Sequence, residues 1–415
     1  MVNNIDLPGT VAEFERAIKA ATAQKAPPQK PSKADKKHKH DKSKKHKHDK
    51  HVSKPIVLPS QDADLSLVKL IRDKGDGISL NKMFELGQRF NKASLKQAVE
   101  SARAMKKLEG TGMSDRALLQ TAFYIEKILP KCIQKGEIHR EITIDGLLRT
   151  IDHDPVTRRT YIHVKDYDGA EMLGVGGFKK VARAIRYDRA NPELVARASG
   201  EEQYVAEEVA AMKAARGIPH IIQPESIISF TPAAHKGRKE AAIFLKLFNP
   251  GSLLKGRDSF ETVQSLSSDE KLQVARDTAQ GIKGLHDKGL VHRDIKPGNI
   301  FISRDATTKK VQAVVADLGL LTSESSARGE LAHGTPFYMP PEKYASDPKK
   351  ADVWGLGCTF YQLLYAKWPD RNFTALAKNM VLPDSSPLKK LERITWDMLV
   401  PVASRPSIDQ VLQAL

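Results

Sequence analysis

A chain of 415 residues with 40% apolar content can bury a full core and has room for two or three structural units. Its two cysteines, Cys132 and Cys358, lie far apart, which excludes a disulfide framework or a cysteine-based zinc site and points to a reducing, cytosolic setting. The formal charge of +17 points to an anionic partner, but much of it is local: between Lys30 and Lys54 eleven lysines stand against three aspartates.

The N-terminus, MVNNIDLPGT, has neither a basic n-region nor an apolar h-region, and no apolar run reaches the ~20 residues that span a bilayer. A soluble, unprocessed chain without a transmembrane segment is expected. Thr10 and Glu13 fit a capping box, and Val11, Phe14 and Ile18 come after at helical spacing, so a short amphipathic helix is predicted from Thr10 to Thr22. From Pro27 the composition collapses to Lys, His and Asp, with KKHKHDK at Lys36 to Lys42 and again at Lys44 to Lys50. Residues 1–60 are therefore read as a disordered basic tail, because like charges repel and no apolar surface offsets the ordering entropy. Beyond a solvated linker, the tail suits an electrostatic tether to nucleic acid or acidic lipid, a nuclear localisation signal, or a metal site through its histidines.

Residues 61–140 read as a helical module, either regulatory or simply packed on the C-terminal domain. Leu65, Leu67, Val68 and Ile71 share one helix face; Ser114 and Asp115 cap a helix whose apolar positions, Leu118, Leu119, Ala122, Ile125 and Ile128, end before Pro130. Residues 141–167 form a strand-rich connector, with ITIDGLL and RTYIHV around a turn at His153 to Pro155. Asp152, His153 and Asp154 are read there as turn formers rather than metal ligands.

From Asp168 onward a succession of short motifs appears. LGVGGFKKV spans Leu173 to Val181, LVAR spans Leu194 to Arg197, and a Glu-rich helix is predicted over Glu201 to Arg216. AIFLKLFNPGSLL occupies Ala242 to Leu254. A helix after Ser268 turns Leu272, Ala275, Ala279, Ile282 and Leu285 inward and delivers the chain to VHRDIKPGNIFI at Val291 to Ile302. Beyond these stand DLG at Asp317, GTPFYMPPE ending at Glu342, DVWGLG from Asp352 and SRPS around Arg405. Over residues 168–415 the chain resembles the protein kinases, of the serine/threonine type because Lys296 lies two positions after Asp294.

The resemblance implies an α+β, two-lobed protein kinase fold preceded by the helical module and the basic tail. It implies ATP and Mg²⁺ as cofactors and protein hydroxyls as substrates. Asp294 would be the catalytic base, Lys296 would neutralise the transferring phosphate, Asn299 and Asp317 would hold the metal, and Thr335 would hold Asp294 and Lys296. ATP would lie against Leu173, Gly174, Val175, Gly176, Gly177, Phe178 and Val181 of the glycine-rich loop. Leu245 would be the gatekeeper, and Lys246 to Phe248 would offer backbone groups to the base.

Two departures bear on activity. Lys179 stands where the third glycine of the loop belongs, and Arg197 falls at the lysine of the V-A-I-K strand. Together these look like the with-no-lysine kinases, in which the glycine-rich loop supplies the phosphate-holding lysine; Lys179 and Arg197 are the two candidates. Glu208, with Glu207 next, would pair with that cation. Glu342 with Arg405, and Asp352 beneath the catalytic loop, complete the lower lobe. Residues Asp317 to Glu342 read as the activation loop, with Arg293 as a receptor for phosphate on Thr322, Ser323, Ser325 or Ser326. The alternative to a kinase is a pseudokinase scaffold that binds partners through tail and module. A cytoplasmic location is expected, with delivery into a host cell as a bacterial effector as the alternative.

Overall fold

The computed structural model describes residues 93–108, 113–144, 147–164, 172–175, 179–232, 237–256, 259–305, 307–328, 333–342, 347–369, 373 and 381–415. The expectations for residues 1–92, the basic tail and the Thr10 helix included, lie outside the described residues, as do those for Gly176, Gly177 and Phe178.

Helices α1 (Ala93–Lys106), α2 (Asp115–Phe123) and α3 (Leu129–Gln134) are the first described elements. Ser114 caps α2 by accepting the amide of Ala117 at 3.1 Å. The helix does not end before Pro130. It continues through a π-helical turn, Tyr124–Ile128, where Leu129 N–H reaches back five residues to Tyr124 O. Widening the turn accommodates a proline that has no N–H to give. Ala98, Val99, Ala102 and Met105 of α1, with Leu118, Leu119 and Ala122 of α2, bury themselves on Ile142, Ile151, Ile162 and Ile185 of the sheet below. Each large aliphatic buried this way contributes about 1.5–3 kcal/mol.

That sheet has eight antiparallel strands: β1 (His139–Ile144), β2 (Leu147–Asp154), β3 (Arg159–Val164), β4 (Met172–Val175), β5 (Lys179–Tyr187), β6 (Glu193–Glu201), β7 (Pro224–Phe230) and β8 (Glu240–Lys246). The order is β1-β2-β3-β5-β6-β8-β7, with β4 alongside β5. The expected strand pair is thus a three-stranded meander, β1–β3, which joins the sheet along the far half of β5. At the β2–β3 turn Asp154 Oδ1 accepts the amides of Val156 at 2.8 Å and Thr157 at 3.3 Å, as a turn former should. Asp152 sits within β2 and has another role. The sheet curls until Thr157 and Tyr161 both reach Ser226 of β7, at 2.9 and 2.8 Å, and it encloses Tyr161 stacked on Phe244.

The second lobe is mainly helical. Before it, strand β6 of the sheet lobe passes directly into α4 (Glu202–Ala214), which packs on the sheet; after β9 (Pro250–Ser252) come α5 (Glu261–Gln264) and the long α6 (Ser268–Asp287), opened by a reciprocal Ser267/Glu270 capping box. Ala275, Ala279, Ile282 and Leu285 of α6 are buried in the main core. Next come strands β10 (Leu290–Val291), β11 (Ile300–Arg304) and β12 (Val311–Val315), then β13 (Thr322–Ser323) and the helices α7 (Glu324–Ala327), α8 (Pro348–Tyr365), α9 (Lys389–Met398) and α10 (Ile408–Ala414). The core joins Ala196, Ala198, Ile243 and Leu245 of the sheet lobe to Leu318, Leu356 and Phe360 below. A two-lobed α+β fold is what the structure displays. Among the described residues no helix is long and apolar enough to cross a membrane.

Candidate active site

The loop between β10 and β11 is set from below by α8. Asp352 is buried, and its two oxygens accept the backbone amides of His292 and Arg293, each at 2.8 Å, while His286 Nε2 lies 2.9 Å from Oδ2. Burial alone would raise the Asp352 carboxyl; the His286 hydrogen bond and charge outweigh it and hold the group below the usual carboxylate range. This support lets Arg293 adopt φ of 68°, a left-handed backbone that turns the loop toward Asp294. His292 Nε2 reaches Ala316 O at 3.1 Å, tying the loop to the strand before Asp317.

Three side chains converge on Asp294. Thr335 donates to Oδ1 from its amide at 2.9 Å and from its hydroxyl at 2.8 Å. Lys296 Nζ lies 2.6 Å from Oδ2 and 2.7 Å from Thr335 Oγ1, and Asn299 Nδ2 donates to Oδ2 at 3.1 Å and to the Asp294 carbonyl at 2.8 Å. Burial pushes the Asp294 carboxyl up, but Lys296 and Thr335 more than offset it, so the group stays ionised as an acceptor at neutral pH. Thr335 comes this close only because Gly334 precedes it. Gly334 has φ of +116°, and a Cβ there would stand 2.4 Å from Arg293 O.

On the other side, Lys179 Nζ lies 2.8 Å from both oxygens of Glu208 on α4 and 3.4 Å from Asp317 Oδ1. Burial would lower the lysine, yet Glu208 and Asp317 raise it, so the ammonium is held charged. Asp317 opens a short 3₁₀ turn with φ of 59°; its neighbour Leu318 is fully buried in the core, and Asp317 itself is exposed.

The structure does not bring Arg197 to this cluster. Successive strand side chains point to opposite faces, and Ala196 and Ala198 face the main core with Ile243 and Leu245. Arg197 points the other way, 5.6 and 6.0 Å over the rings of Phe230 and Phe244, with Nε 3.1 Å from Asp152 Oδ2. The strand position nearest in kind to the expected lysine is therefore Ala198, one residue on. The period-two alternation of Ala196 and Ala198 around a charged residue was the signal for this register.

Of the remaining candidates, Leu245 is buried at the end of β8, Lys246 is exposed with its Nζ 5.7 Å over Phe248, and Phe248 is half-buried. Gly174 and Val175 pair with Val181 and Lys180 in the β4–β5 hairpin, where Leu173 is exposed and Val181 half-buried. Glu342 meets the buried Arg405 at 2.8 Å, and Arg405 also donates to Lys350 O and Val400 O and lies 4.9 Å over the Trp354 ring. Thr322 and Ser323 are buried as β13, paired with Val291 and Leu290, and Ser323 Oγ accepts the Ser326 amide at 3.1 Å as the cap of α7. Ser325 is exposed and Ser326 half-buried. Arg293 Nε donates to Leu320 O at 2.8 Å. Sequence reasoning missed Asp152, His286 and Gly334; only the loop–helix and strand–strand contacts of the folded chain mark them out.

Residues 167–411 match the protein kinase domain family. Among curated proteins the chain is 26% identical over 259 residues to the human serine/threonine-protein kinase Nek5, covering 60% of this chain and 36% of that one. It is 28% identical over 256 residues to mitogen-activated protein kinase kinase kinase 1 of Arabidopsis thaliana, covering 59% and 38%. It is also 28% identical over 234 residues to serine/threonine-protein kinase 4 homolog A of Dictyostelium discoideum, covering 54% and 48%. The aligned segments thus span less than half of each of these relatives.

Proposed function

The chain belongs to the protein kinase domain family, and on that premise we propose that it transfers the γ-phosphoryl group of ATP to serine or threonine hydroxyls of protein substrates. The observation that carries this reading is the Asp294 constellation: an ionised carboxylate in contact with Lys296, Asn299 and Thr335. Asp294 orients the incoming hydroxyl and accepts its proton as the oxygen attacks. Lys296, already within reach of Asp294 and Thr335, moves its charge onto the phosphoryl oxygens as they develop negative charge. Thr335 keeps both groups in register.

Asn299 and Asp317 fit a hard divalent cation. Asn299 spends its amide hydrogens on Asp294, which leaves its side-chain oxygen to serve as a metal ligand, and the Asp317 carboxylate is exposed. Bound Mg²⁺-ATP supplies the phosphoryl group and the cationic charge that offsets it. Lys179 is the residue we assign to the ATP phosphates, as in the with-no-lysine kinases, because it alone of the two candidates meets Glu208 and Asp317.

Radiolabelled ATP with a generic protein substrate tests the reading, with Asp294→Ala as control. Incorporation falling by about 10²-fold or more in the control supports phosphotransfer. Incorporation by the native chain no higher than the control's would favour a scaffold.

A further inference from the structure

The family match begins at residue 167, whereas the β1–β3 meander ends at Val164. The meander nevertheless reaches into the middle of the sheet lobe. Asp152 of β2 is fully buried; His139 Nδ1 donates to its Oδ1 at 2.6 Å and Arg197 Nε to its Oδ2 at 3.1 Å. Arg197 Nη1 continues to Ser199 Oγ at 2.8 Å, so one guanidinium ties β2 to two positions of β6. His139 is itself stacked on Phe230, with ring centroids 3.9 Å apart. Burial would raise the Asp152 carboxyl, but Arg197 and His139 hold it below the ordinary range, as an ionised partner.

What β6 does next makes this clamp matter. Gly200, three residues after Arg197 and about 10 Å along the strand, is the cross-strand partner of Lys179. The strand ends at Glu201, and α4 starts at Glu202 without a loop between them. Glu208 lies six residues on, about 9 Å up the helix. A shift of residues 197–201 therefore moves the strand partner of Lys179 and the helix of Glu208 together.

We propose that Arg197 is a positioning residue: clamped through Asp152 to the meander, it sets where β6 hands over to α4 and so where Glu208 stands relative to Lys179. The kinetic consequence rests on the phosphoryl-transfer reading; the geometric one does not. A buried ion pair adds little net stability, because desolvation offsets the attraction, and an aliphatic side chain at 197 would pack well on Phe230 and Phe244. The fork of a guanidinium offers something an aliphatic chain cannot, which is two directed hydrogen bonds to two elements at once.

The experiment uses the full chain and three variants, Arg197→Met, Arg197→Lys and the double Asp152→Asn/Arg197→Met. For each, kcat and KM for ATP, the thermal midpoint, and hydrogen exchange at backbone amides across the whole chain are measured. Arg197→Met alone strands a buried carboxylate and is expected to melt early. The double variant removes that charge, and Arg197→Lys keeps the positive charge but loses the fork. Expected for these two is a midpoint near the native one, with kcat/KM down about tenfold or more, since small misplacements cost that much, and faster exchange confined to 198–208. Native kcat/KM with native exchange in the double variant overturns the proposal and leaves the pair a packing feature. The exchange arm separates the two readings. If the native chain transfers no phosphate but exchange quickens at 198–208 in the variants, the proposed function fails and the clamp stands; if exchange is unchanged, the clamp fails whatever the activity.

Discussion

Lys179 of β5 and Glu208 of α4 meet at 2.8 Å through both carboxylate oxygens, while the β6 position facing the same core is filled by Ala198. The cation that pairs with the helix comes from the hairpin strand rather than from its neighbour. Lys179 lies opposite Gly200 and Ala198 opposite Val181, so the two possible origins are diagonal neighbours across the β5–β6 pair, about 7–8 Å apart and within the reach of a lysine stem.

That proximity makes the lysine movable. Lys179→Met is expected to lower phosphotransfer by about 10²-fold or more, and Lys179→Met/Ala198→Lys to recover part of it, because a lysine from 198 can reach Glu208. Radiolabel incorporation checks both, with Arg197→Ala beside them. Full activity in Lys179→Met would show that the ammonium at 179 holds nothing.

Gly334 is a conformational requirement for the Asp294 site. Gly334→Ala must either strain a φ of +116° and press a Cβ against Arg293 O or push Thr335 away from Asp294. The strain is about 1–3 kcal/mol, and the displacement is the route of relief. A kcat loss of about tenfold or more with a near-native KM for ATP is expected in steady-state kinetics; unchanged kcat would mean that Thr335 does not need that approach.

Acid should expose the Asp352 support. Its folded pKa lies below the unfolded value of about 3.9, so its contribution is fully present above that pH and is lost as the pH falls through the lower, folded value. Urea unfolding measured from pH 6 to pH 2 is expected to show a smaller acid-dependent loss in Asp352→Asn than in the native chain. The variant should start lower at pH 6, by about 1.5–3 kcal/mol for the weakened charged hydrogen bonds. Identical acid profiles would contradict the assignment.

Modification of the segment from Asp317 to Glu342, which we propose as the activation loop, should be selective. Thr322 and Ser323 are buried as β13, and Ser323 caps α7, so mapping after incubation with ATP is expected to find phosphate on Ser325 and not on Thr322 or Ser323. Phosphate on Thr322 in the folded chain would require β13 to leave β10.

The loop we propose as catalytic was legible in the chain because its parts are contiguous. Asp294, Lys296 and Asn299 lie within six residues, close enough in the chain for Lys296 and Asn299 to fold back onto Asp294. The helix periodicity that delivers α6 to the loop was equally local. Arg197 was not legible in the same way: a strand alternates its faces with every residue, so a reading one position early placed on the lysine's face a side chain that points away from it. Its partner Asp152 lies 45 positions upstream and looked like a turn residue, since nothing in the string DHDP records that β2 comes to face Arg197 of β6. The sequence by itself determined which residues could do chemistry, through short motifs and their spacing. Tertiary structure decided which cation reaches Glu208, because that depends on strand register and on the curl of a sheet whose contacts join residues far apart in the chain.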